Sequence, residues 1–307
     1  MRVVALAGGV GGARLAQGLA QCGVDLTVIV NTGDDFNHLG LRVCPDLDTV
    51  TYTLAGIANR EQGWGLAGET TAAMEQLRQL GAEDWFLLGD RDLALQIYRT
   101  HRLGHGVPLS TITAEVAQRL SVSARILPMS DDAVATIVQT PEGELPFQDW
   151  FVRRRADVAV SGFRFAGIEA ARPAPGVIEA LTRADAIILC PSNPYVSLDP
   201  ILSVPGLRAA IPEVPVIAVS PIIGGQAVKG PAARLMADLG AEVSPLGIGR
   251  HFAGVLTGMV IDQIDADLAP RLGLPVRVTR TLMRSDQDRK ALASACLRLA
   301  SGGTWTS

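Results

Sequence analysis

The first fifty residues of the chain constrain its fold more than any other stretch. An apolar run at residues 2–7 is followed directly by Gly8-Gly-Val-Gly-Gly12 and then by a helix-like segment at 13–20. A second apolar run, at 26–30, ends in Asn31-Thr-Gly-Asp-Asp35. A strand that turns through glycines into a helix, and then into a second strand, begins a parallel α/β sheet. Ligands of such sheets bind at the carboxyl ends of the strands, so we expect the functional site there.

Short apolar runs alternate with helix-length amphipathic segments along most of the remaining sequence. This alternation predicts a Rossmann-like α/β fold, in which a mainly parallel sheet carries helices on both faces. The predicted strands are 2–7, 26–30, 85–88, 124–127, 134–140, 186–190, 215–219, 258–261 and 275–279. The predicted helices are 12–21, 48–58, 70–80, 91–102, 110–120, 175–183, 230–239 and 286–300.

Residues 134–165 depart from this alternation. Three strand-like segments follow one another there, separated by turn signals, and they predict an antiparallel insertion. Helices near 90–122 accompany it. Because no linker-like or low-complexity tract interrupts the sequence, we expect one Rossmann-like α/β domain over residues 1–307, with a small inserted α/β subdomain at about 90–170.

The bulk composition argues against several classes of protein. Of the 307 residues, 48% are hydrophobic and 19% are charged, which is typical of a folded globular chain. The net charge of −4 shows no basic excess, so we expect no nucleic-acid partner. The apolar runs are shorter than the roughly 20 residues of a membrane-spanning helix, so we expect no membrane partner. Four scattered cysteines without paired spacing predict reduced thiols in a cytoplasmic protein.

The glycine-rich turn after the first strand predicts a phosphate-binding site. Glycine lets the backbone approach an anion, and the start of the following helix supplies free N–H groups and a favourable dipole. The turn is neither a Walker A loop nor a GxGxxG match, and Asn31 stands where an NAD-binding fold has an acidic residue. The alternative is a tight strand–helix turn without a ligand. The predicted phosphate-binding residues are Gly8, Gly9, Gly11 and Gly12.

Two acidic segments follow the glycine turn and predict a metal site. Asp34 and Asp35 come at the end of the second predicted strand, and Asp46 and Asp48 flank Leu47 shortly afterwards. A bound Mg²⁺ would remove the repulsion between neighbouring carboxylates, since this ion binds one or two carboxylates together with phosphate oxygens. Two alternatives stay open: the first pair lies in a solvated loop, and Asp48 only caps the next helix.

Later loops extend the candidate site, and most of them follow a predicted strand. Ser192 and Asn193, held between two prolines, are suited to hydrogen bonds with a base or a sugar. Trp64, between glycines, packs in a core by default, and its sharper interpretation is a platform for a flat heterocycle. Taken singly, such loops are more often structural than functional. The other loops of this kind contain Asp90, then Met129, Ser130 and Asp131, and finally Gly224 and Gly225.

Taken in order, these motifs resemble the 2-phospho-L-lactate transferase family of coenzyme F420 biosynthesis. The resemblance runs almost from end to end, and the combination is far more specific than any one glycine turn. One departure is Glu69, where we expect aspartate, although the carboxylate is retained. The matching segments are GGVGGAR (8–14), NTGDD (31–35), LRVCPDLDTVTY (41–52), WGL (64–66), LGDRDL (88–93), LPMSDD (127–132), FQ with WFVRRR (147–155), PSNP (191–194), SPIIGG (220–225) and TLM (281–283).

The resemblance implies a donor, an acceptor and a metal. A guanosine diphosphate-linked three-carbon acid donates its phosphorylated acid unit to a ribityl hydroxyl of the deazaflavin Fo, and GMP leaves. The acid unit is 2-phospholactyl, or the phosphoenolpyruvyl or 3-phosphoglyceryl equivalent, and the sequence does not distinguish among the three. Mg²⁺ is the expected cofactor, and the resemblance also suggests a homodimer.

The motifs and the resemblance together predict the roles of individual residues. We expect catalysis from Asp35, Asp46 and Asp48, with Mg²⁺ on Asp46 and Asp48, and the sequence does not say which aspartate is the base. Nucleotide and phosphate binding are expected at Gly8, Gly9, Gly11, Gly12, Ser192, Asn193, Gly224 and Gly225. Acceptor binding is expected at Asn31, Asp34, Trp64, Asp90, Met129, Ser130 and Asp131.

Two other classes of function compete with this interpretation. The nearer rival is a non-catalytic regulator of the same superfamily, which binds nucleotide sugars. Such a regulator is expected to keep the glycine turn and the 31–35 motif, but not the combination of 44–49 with 64–66 that this chain has. An NAD-dependent oxidoreductase is disfavoured, because the GxGxxG pattern and the ribose-binding acid are missing.

Overall fold

A seven-stranded parallel sheet forms the centre of the computed structural model, which describes residues 1–303. Its strand order is β14-β13-β10-β9-β1-β2-β5. In chain order the strands are β1 (Arg2–Ala7), β2 (Asp25–Val30), β3 (Phe36–His38), β4 (Leu41–Val43), β5 (Arg125–Pro128), β6 (Ala135–Thr140), β7 (Gly143–Pro146), β8 (Gly162–Ala166), β9 (Ala186–Leu189), β10 (Val216–Val219), β11 (Ile222–Ile223), β12 (Gln226–Ala227), β13 (Gly258–Asp262) and β14 (Val276–Thr279).

Helices lie on both faces of this sheet, as β1 shows. Val3, Ala5 and Ala7 belong to one apolar core together with residues of α1 and α10, while Val4 and Leu6 belong to a second core with residues of α6 and α8. The predicted Rossmann-like α/β class is therefore confirmed. The α-helices are α1 (Gly9–Ala20), α2 (Pro45–Leu54), α3 (Ala72–Gln79), α4 (Asp90–Gly104), α5 (Leu109–Arg119), α6 (Val177–Thr182), α7 (Asp199–Ser203), α8 (Ala232–Asp238), α9 (Pro245–His251) and α10 (Asp286–Ala300).

The strand order reverses beside β1, and this reversal fixes where a ligand can enter. The chain places β2 and then β5 on one side of β1, and β9, β10, β13 and β14 on the other. All the pairings within this sheet are parallel, so the carboxyl ends of the strands meet at one edge. The chain leaves β1 toward β2 on one side and leaves β9 toward β10 on the other. A crevice opens between the carboxyl ends of two neighbouring strands whose connections diverge in this way.

A three-stranded antiparallel sheet, of order β7-β6-β8, stands over the acidic loop that follows β2. The Thr136 N–H donates to the Gly33 carbonyl at 2.7 Å, and the Gln148 side chain donates to the Asp34 carbonyl at 3.3 Å. The predicted antiparallel strands are confirmed. The second strand ends at Pro146, however, and a helical turn over Asp149–Arg153 follows it. This sheet shields the loop from solvent.

Several predicted elements differ from the structure. Residues 85–88 are not a strand. Phe86 packs edge-to-face with Trp85 and with Phe36, and the Trp85 ring is tilted against Phe36, so aromatic packing accounts for the apolar run. The first helix begins at Gly9 rather than at residue 12, and the second begins at Pro45 rather than at residue 48. Within residues 1–303, no helix combines the length and apolarity needed to cross a bilayer.

Candidate functional site

The glycine-rich segment forms the first turn of α1, because Gly8 is the N-cap and Gly9 the first helical residue. A Cβ on Gly11 would overlap the carbonyl oxygen of Pro191, and one on Gly12 would lie 2.6 Å from Ser192 Oγ. Only glycine therefore lets α1 approach the loop after β9 so closely. The predicted glycine turn and the predicted 191–194 loop are in direct contact.

Protein groups already occupy the first two N–H groups of this turn. The Gly8 N–H donates to Ser192 Oγ at 3.0 Å, and the Ser192 hydroxyl donates back to the Gly8 carbonyl at 2.8 Å. The Gly9 N–H donates to Asp46 Oδ1 at 2.7 Å. The start of α1 thus binds an anion, as helix N-termini do, but the anion in this state is the Asp46 carboxylate. Ser192 therefore fixes the turn through two hydrogen bonds to the Gly8 backbone.

Asn31 fixes the orientation of Asp46. Its side-chain N–H group donates to Asp46 Oδ2 at 3.0 Å and to the Val196 carbonyl at 3.1 Å, while its Oδ1 accepts the Gly33 N–H at 2.8 Å. Asn31 is fully buried at the carboxyl end of β2. One amide therefore connects the loop after β2, the start of α2 and the turn after β9.

Asp34 lies next to Asp46, and the two carboxylates repel each other. Burial is the main cause that raises the pKa of Asp34 well above its ordinary value, and the negative charge of Asp46 raises it further. Burial also raises the pKa of Asp46 to about 6, although hydrogen bonds from Asn31 and Gly9 oppose the shift. We call Gly9, Asn31, Asp34 and Asp46 the crevice cluster.

Several buried polar atoms around the crevice cluster have no hydrogen-bond partner among the described residues. Asp34 Oδ1 is one of them, and Asn193 Nδ2 is another, although Asn193 Oδ1 accepts two N–H groups of the following turn. Buried polar atoms in native proteins are almost always satisfied, so such a group marks a place for a ligand or for water. The remaining unpartnered atoms here are Thr32 Oγ1 and Thr136 Oγ1.

The crevice cluster fits a magnesium ion held jointly by protein and ligand. Asp34 and Asp46 supply carboxylate oxygens, the preferred ligands of Mg²⁺, and one of these oxygens has no partner. Among residues 1–303, no group of three or more His, Cys, Asp or Glu side chains is arranged to hold a metal. A metal at this position would therefore need oxygens from phosphate or water to complete its shell, which is how Mg²⁺ commonly binds nucleotides.

The structure contradicts the predicted pairing of Asp46 with Asp48. Helix α2 begins at Pro45 with Cys44 as its N-cap, so both aspartates lie inside its first turn. Side chains two residues apart in a helix do not share a face. Asp48 also does not cap α2, as the alternative supposed. Pro45 could have indicated this earlier start of α2, since proline is favoured at the first helical position.

Asp48 and Asp35 belong to a second group of charges, the arginine cluster, which consists of Asp35, Arg42, Asp48 and Arg99. Asp48 accepts hydrogen bonds from both terminal nitrogens of the buried Arg99, at 3.2 Å from Nη1, and also from the Gln96 amide at 3.0 Å. Asp35 Oδ2 lies 3.5 Å from Arg42 Nη2. Burial raises the pKa of Asp35 to about 7, and Arg42 opposes this shift. The two aspartates predicted to be catalytic beside Asp46 thus face arginines instead.

The predicted acceptor-binding residues also fall into two groups, those in the crevice cluster and those with structural contacts elsewhere. Asn31 and Asp34 are in the crevice cluster, whereas Asp90 accepts the N–H groups of Ala72 and Ala73 at 3.1 and 2.9 Å and so holds the start of α3. Three further predicted residues have structural contacts: Met129 is fully buried in the core, Ser130 donates to the Arg172 carbonyl at 2.7 Å, and Asp131 binds both the N–H and the hydroxyl of Ser110.

Trp64 is 40% exposed, so it is not a core residue, and its role as a platform for a heterocycle stays a prediction. Its loop lies against α1, because a Cβ on the neighbouring Gly63 would come within 3.0 Å of the Val10 side chain. Gly224 and Gly225, by contrast, form the tight turn between β11 and β12, with φ of +56° and +75°. The Gly224 N–H is bound to the Asp265 carboxylate at 3.0 Å, so turn geometry alone accounts for this glycine pair.

Sequence reasoning missed several residues of the site. Ser197 lies over the glycine turn, with its hydroxyl 2.8 Å from the position that a Gly8 Cβ would take, and no motif pointed to it. The sequence predicted Arg99 only as part of an amphipathic helix. In the structure Arg99 is buried, and its Nη1 donates to the Arg42 carbonyl in the β3–β4 hairpin. Glu69, the departure from the expected aspartate, accepts the Arg91 N–H at 2.7 Å and stabilises the start of α4.

Comparisons with known proteins identify a family and a fold for this chain. The family model described as "2-phospho-L-lactate transferase CofD" matches residues 3–282. A phosphoenolpyruvate transferase of Streptomyces griseus is 45% identical, with 98% of each chain covered, and a 2-phospho-L-lactate transferase of Methanopyrus kandleri is 41% identical, with 97% of each covered. A UPF0052-family protein of Bacillus halodurans shares the fold, with a TM-score of 0.64 at 16% identity over 96% of this chain and 98% of that one.

Proposed function

Because the chain belongs to the 2-phospho-L-lactate transferase CofD family, we propose that it transfers a phosphorylated three-carbon acid unit from a guanosine diphosphate-linked donor to the deazaflavin Fo. The products are GMP and a phosphodiester. The acid is phosphoenolpyruvate, 2-phospholactate or 3-phosphoglycerate, and relatives that carry the first two names share 45% and 41% of their residues with this chain.

One observation carries the proposal: Asp34 and Asp46 meet at the start of α1, beside buried polar atoms that have no partner in the described structure. Two carboxylates that repel each other, next to the positive end of a helix, are suited to a diphosphate with its counter-ion. Mg²⁺ held there by Asp34 and Asp46 would offset negative charge on the diphosphate and on the departing GMP.

The remaining residues of the site position the ligands. Asn31 holds the Asp46 carboxylate in one orientation, and the unpartnered Nδ2 of Asn193 is a donor for a phosphate, sugar or base of the donor molecule. The three-stranded sheet over the acidic loop excludes water from Asp34. We assign the exposed Trp64 to the flat acceptor, since an aromatic side chain can stack on such a ring.

The function is tested by supplying purified protein with Fo, Mg²⁺ and each of the three guanylylated acids in parallel reactions. We expect GMP release that depends on Fo, with one donor preferred over the other two. Omission of Fo controls for simple hydrolysis of the donor. Absence of Fo-dependent GMP with all three donors would contradict the transfer and favour the nucleotide-binding regulator.

A further inference from the structure

A narrow cavity of about 20 Å³ lies beside α1, and none of its lining residues belongs to the crevice cluster. Val10, Arg14 and Gln17 line it from α1, where they follow one another at helical spacing on one face. Arg60 and Gly63 close it from the loop that carries Trp64, and Arg289 closes it from α10. A space of this size admits a small group rather than a whole nucleotide.

Positive charge is concentrated around this cavity. Arg14, Arg60 and Arg289 line it. The Lys229 ammonium lies beside Gly63, another lining residue, and donates to the Gln62 carbonyl. One carboxylate, that of Asp286, pairs with Arg60 at 3.2 Å and with Arg289 at 3.1 Å. Within residues 1–303, Arg14 and Lys229 have no carboxylate partner, and Arg14 donates only to the Met283 carbonyl.

Among the arginines that line the cavity, Arg289 gives the strongest evidence for an anion. Its side chain is only 7% exposed, and its Nε is buried with no hydrogen-bond partner among the described residues. Its Nη1 donates to the Gln17 side chain, which holds the guanidinium at the cavity wall. Burial lowers the pKa of Arg289, the Asp286 carboxylate opposes this shift, and the charges of Arg14 and Arg60 add to it. Among the described residues, the three arginines that line the cavity have one carboxylate between them, that of Asp286, and the Arg289 Nε still has no acceptor. Such an excess of positive charge around a buried, unused donor is costly.

We infer that this cavity is a second anion-binding site, which takes a single phosphate or carboxylate group through Arg14, Arg60 and Arg289. An oxyanion there would satisfy the unused donor and reduce the repulsion among the cations, and arginine suits such groups because of its several N–H donors. The group comes either from a free anion such as inorganic phosphate or from one end of a guanosine nucleotide. The inference does not depend on the transfer reaction.

Thermal unfolding in the presence of inorganic phosphate tests the site, with chloride at the same ionic strength as the reference. We expect phosphate to raise the midpoint of the wild-type protein, because a ligand that binds only the folded state stabilises it. Arg60→Gln and Arg289→Gln should each weaken the apparent phosphate affinity about tenfold or more. Arg298→Gln, which removes an exposed arginine elsewhere on α10, is the matched control and should respond like wild type.

Arg60 is exposed, so Arg60→Gln keeps the test valid even where Arg289→Gln folds poorly. A phosphate response that GDP saturation abolishes would assign the group to the nucleotide, and one that persists would assign it to a free anion; both support the site. The same response in all variants, or no response in the wild-type protein, would overturn it. Neither Fo nor a guanylylated acid is used, so this failure is distinct from a failure of the transfer.

Discussion

At the scale of single residues, Asp46 and Asp48 have opposite environments although only Leu47 separates them. Asp46 is bound by the Gly9 N–H and the Asn31 amide and lies beside the repelling Asp34. Asp48 is paired with the buried Arg99. A helix turns by about 200° over two residues, so the two carboxylates serve different parts of the molecule. One is available for a ligand, and the other holds helices α2 and α4 together.

Asp46→Asn should lower the rate of GMP release by about a hundredfold or more while leaving the thermal midpoint nearly unchanged. Asparagine keeps an oxygen for the Gly9 N–H but loses the acceptor for the Asn31 amide. Because it also removes the charge that repels Asp34, we expect the two effects to offset each other. A metal ligand, however, is lost. Isothermal titration with Mg²⁺ and a nucleotide should show correspondingly weaker binding. Activity close to wild type would remove Asp46 from the proposed metal site.

Asp48→Asn should act mainly on stability. Removal of one charge of a buried ion pair leaves the other uncompensated and costs about 3–5 kcal/mol of the free energy of unfolding. Denaturant titration measures this loss. Asp84→Asn is the control, since it breaks an exposed pair with Arg78 and should change little. Equal stability of the two variants would contradict the structural role of Asp48.

At the scale of elements, the close approach of α1 to the loop after β9 shapes the crevice. Gly11→Ala should destabilise the protein by about 1–3 kcal/mol, because the new methyl group overlaps the Pro191 carbonyl and α1 must shift. Gly104→Ala is the matched control: this glycine ends α4 with open space around it, so alanine should be neutral or stabilising. Denaturant midpoints compare the two. Equal effects would show that the predicted overlap is relieved without cost.

The buried strands were easier to predict from the sequence than the contacts of the polar side chains. Apolar runs at residues 2–7 and 186–190 correctly predicted β1 and β9, since a strand buried on both faces has few alternatives. The run at 85–88 looked equally strand-like, but nothing in the sequence reveals that its aromatic rings pack on Phe36. The position of Asp46 beside Asp34 depends on where α2 begins, and helix ends are less constrained by pattern than helix interiors.

At the scale of the whole molecule, buried carboxylates make stability depend on pH. The pKa values of Asp35, Asp46 and Asp92 are raised to about 7, 6 and 6, chiefly by burial. Between about pH 4 and these values the folded state binds more protons than the unfolded state, so stability falls as the pH rises through this window. Without added metal, the thermal midpoint should therefore be a few degrees higher at pH 5 than at pH 8.

Asp35→Asn tests the origin of this dependence, because the Asp35 carboxyl has the highest pKa of the three and lies outside the crevice cluster. The variant should show a flatter dependence of the midpoint on pH between 5 and 8. Differential scanning calorimetry at matched ionic strength measures both proteins. A midpoint that rises steadily from pH 5 to pH 8 in the wild-type protein would show that these carboxylates do not govern its stability.

Phosphorus NMR of one reaction tests most directly whether this protein transfers a phosphorylated acid unit with release of GMP. With Fo, Mg²⁺ and the preferred donor, attack at the phosphorus next to the acid should replace the two coupled diphosphate resonances by those of GMP and of one phosphodiester, in equal amounts. Release of GDP instead of GMP, or a diphosphate signal that Fo and protein leave unchanged, would contradict the account.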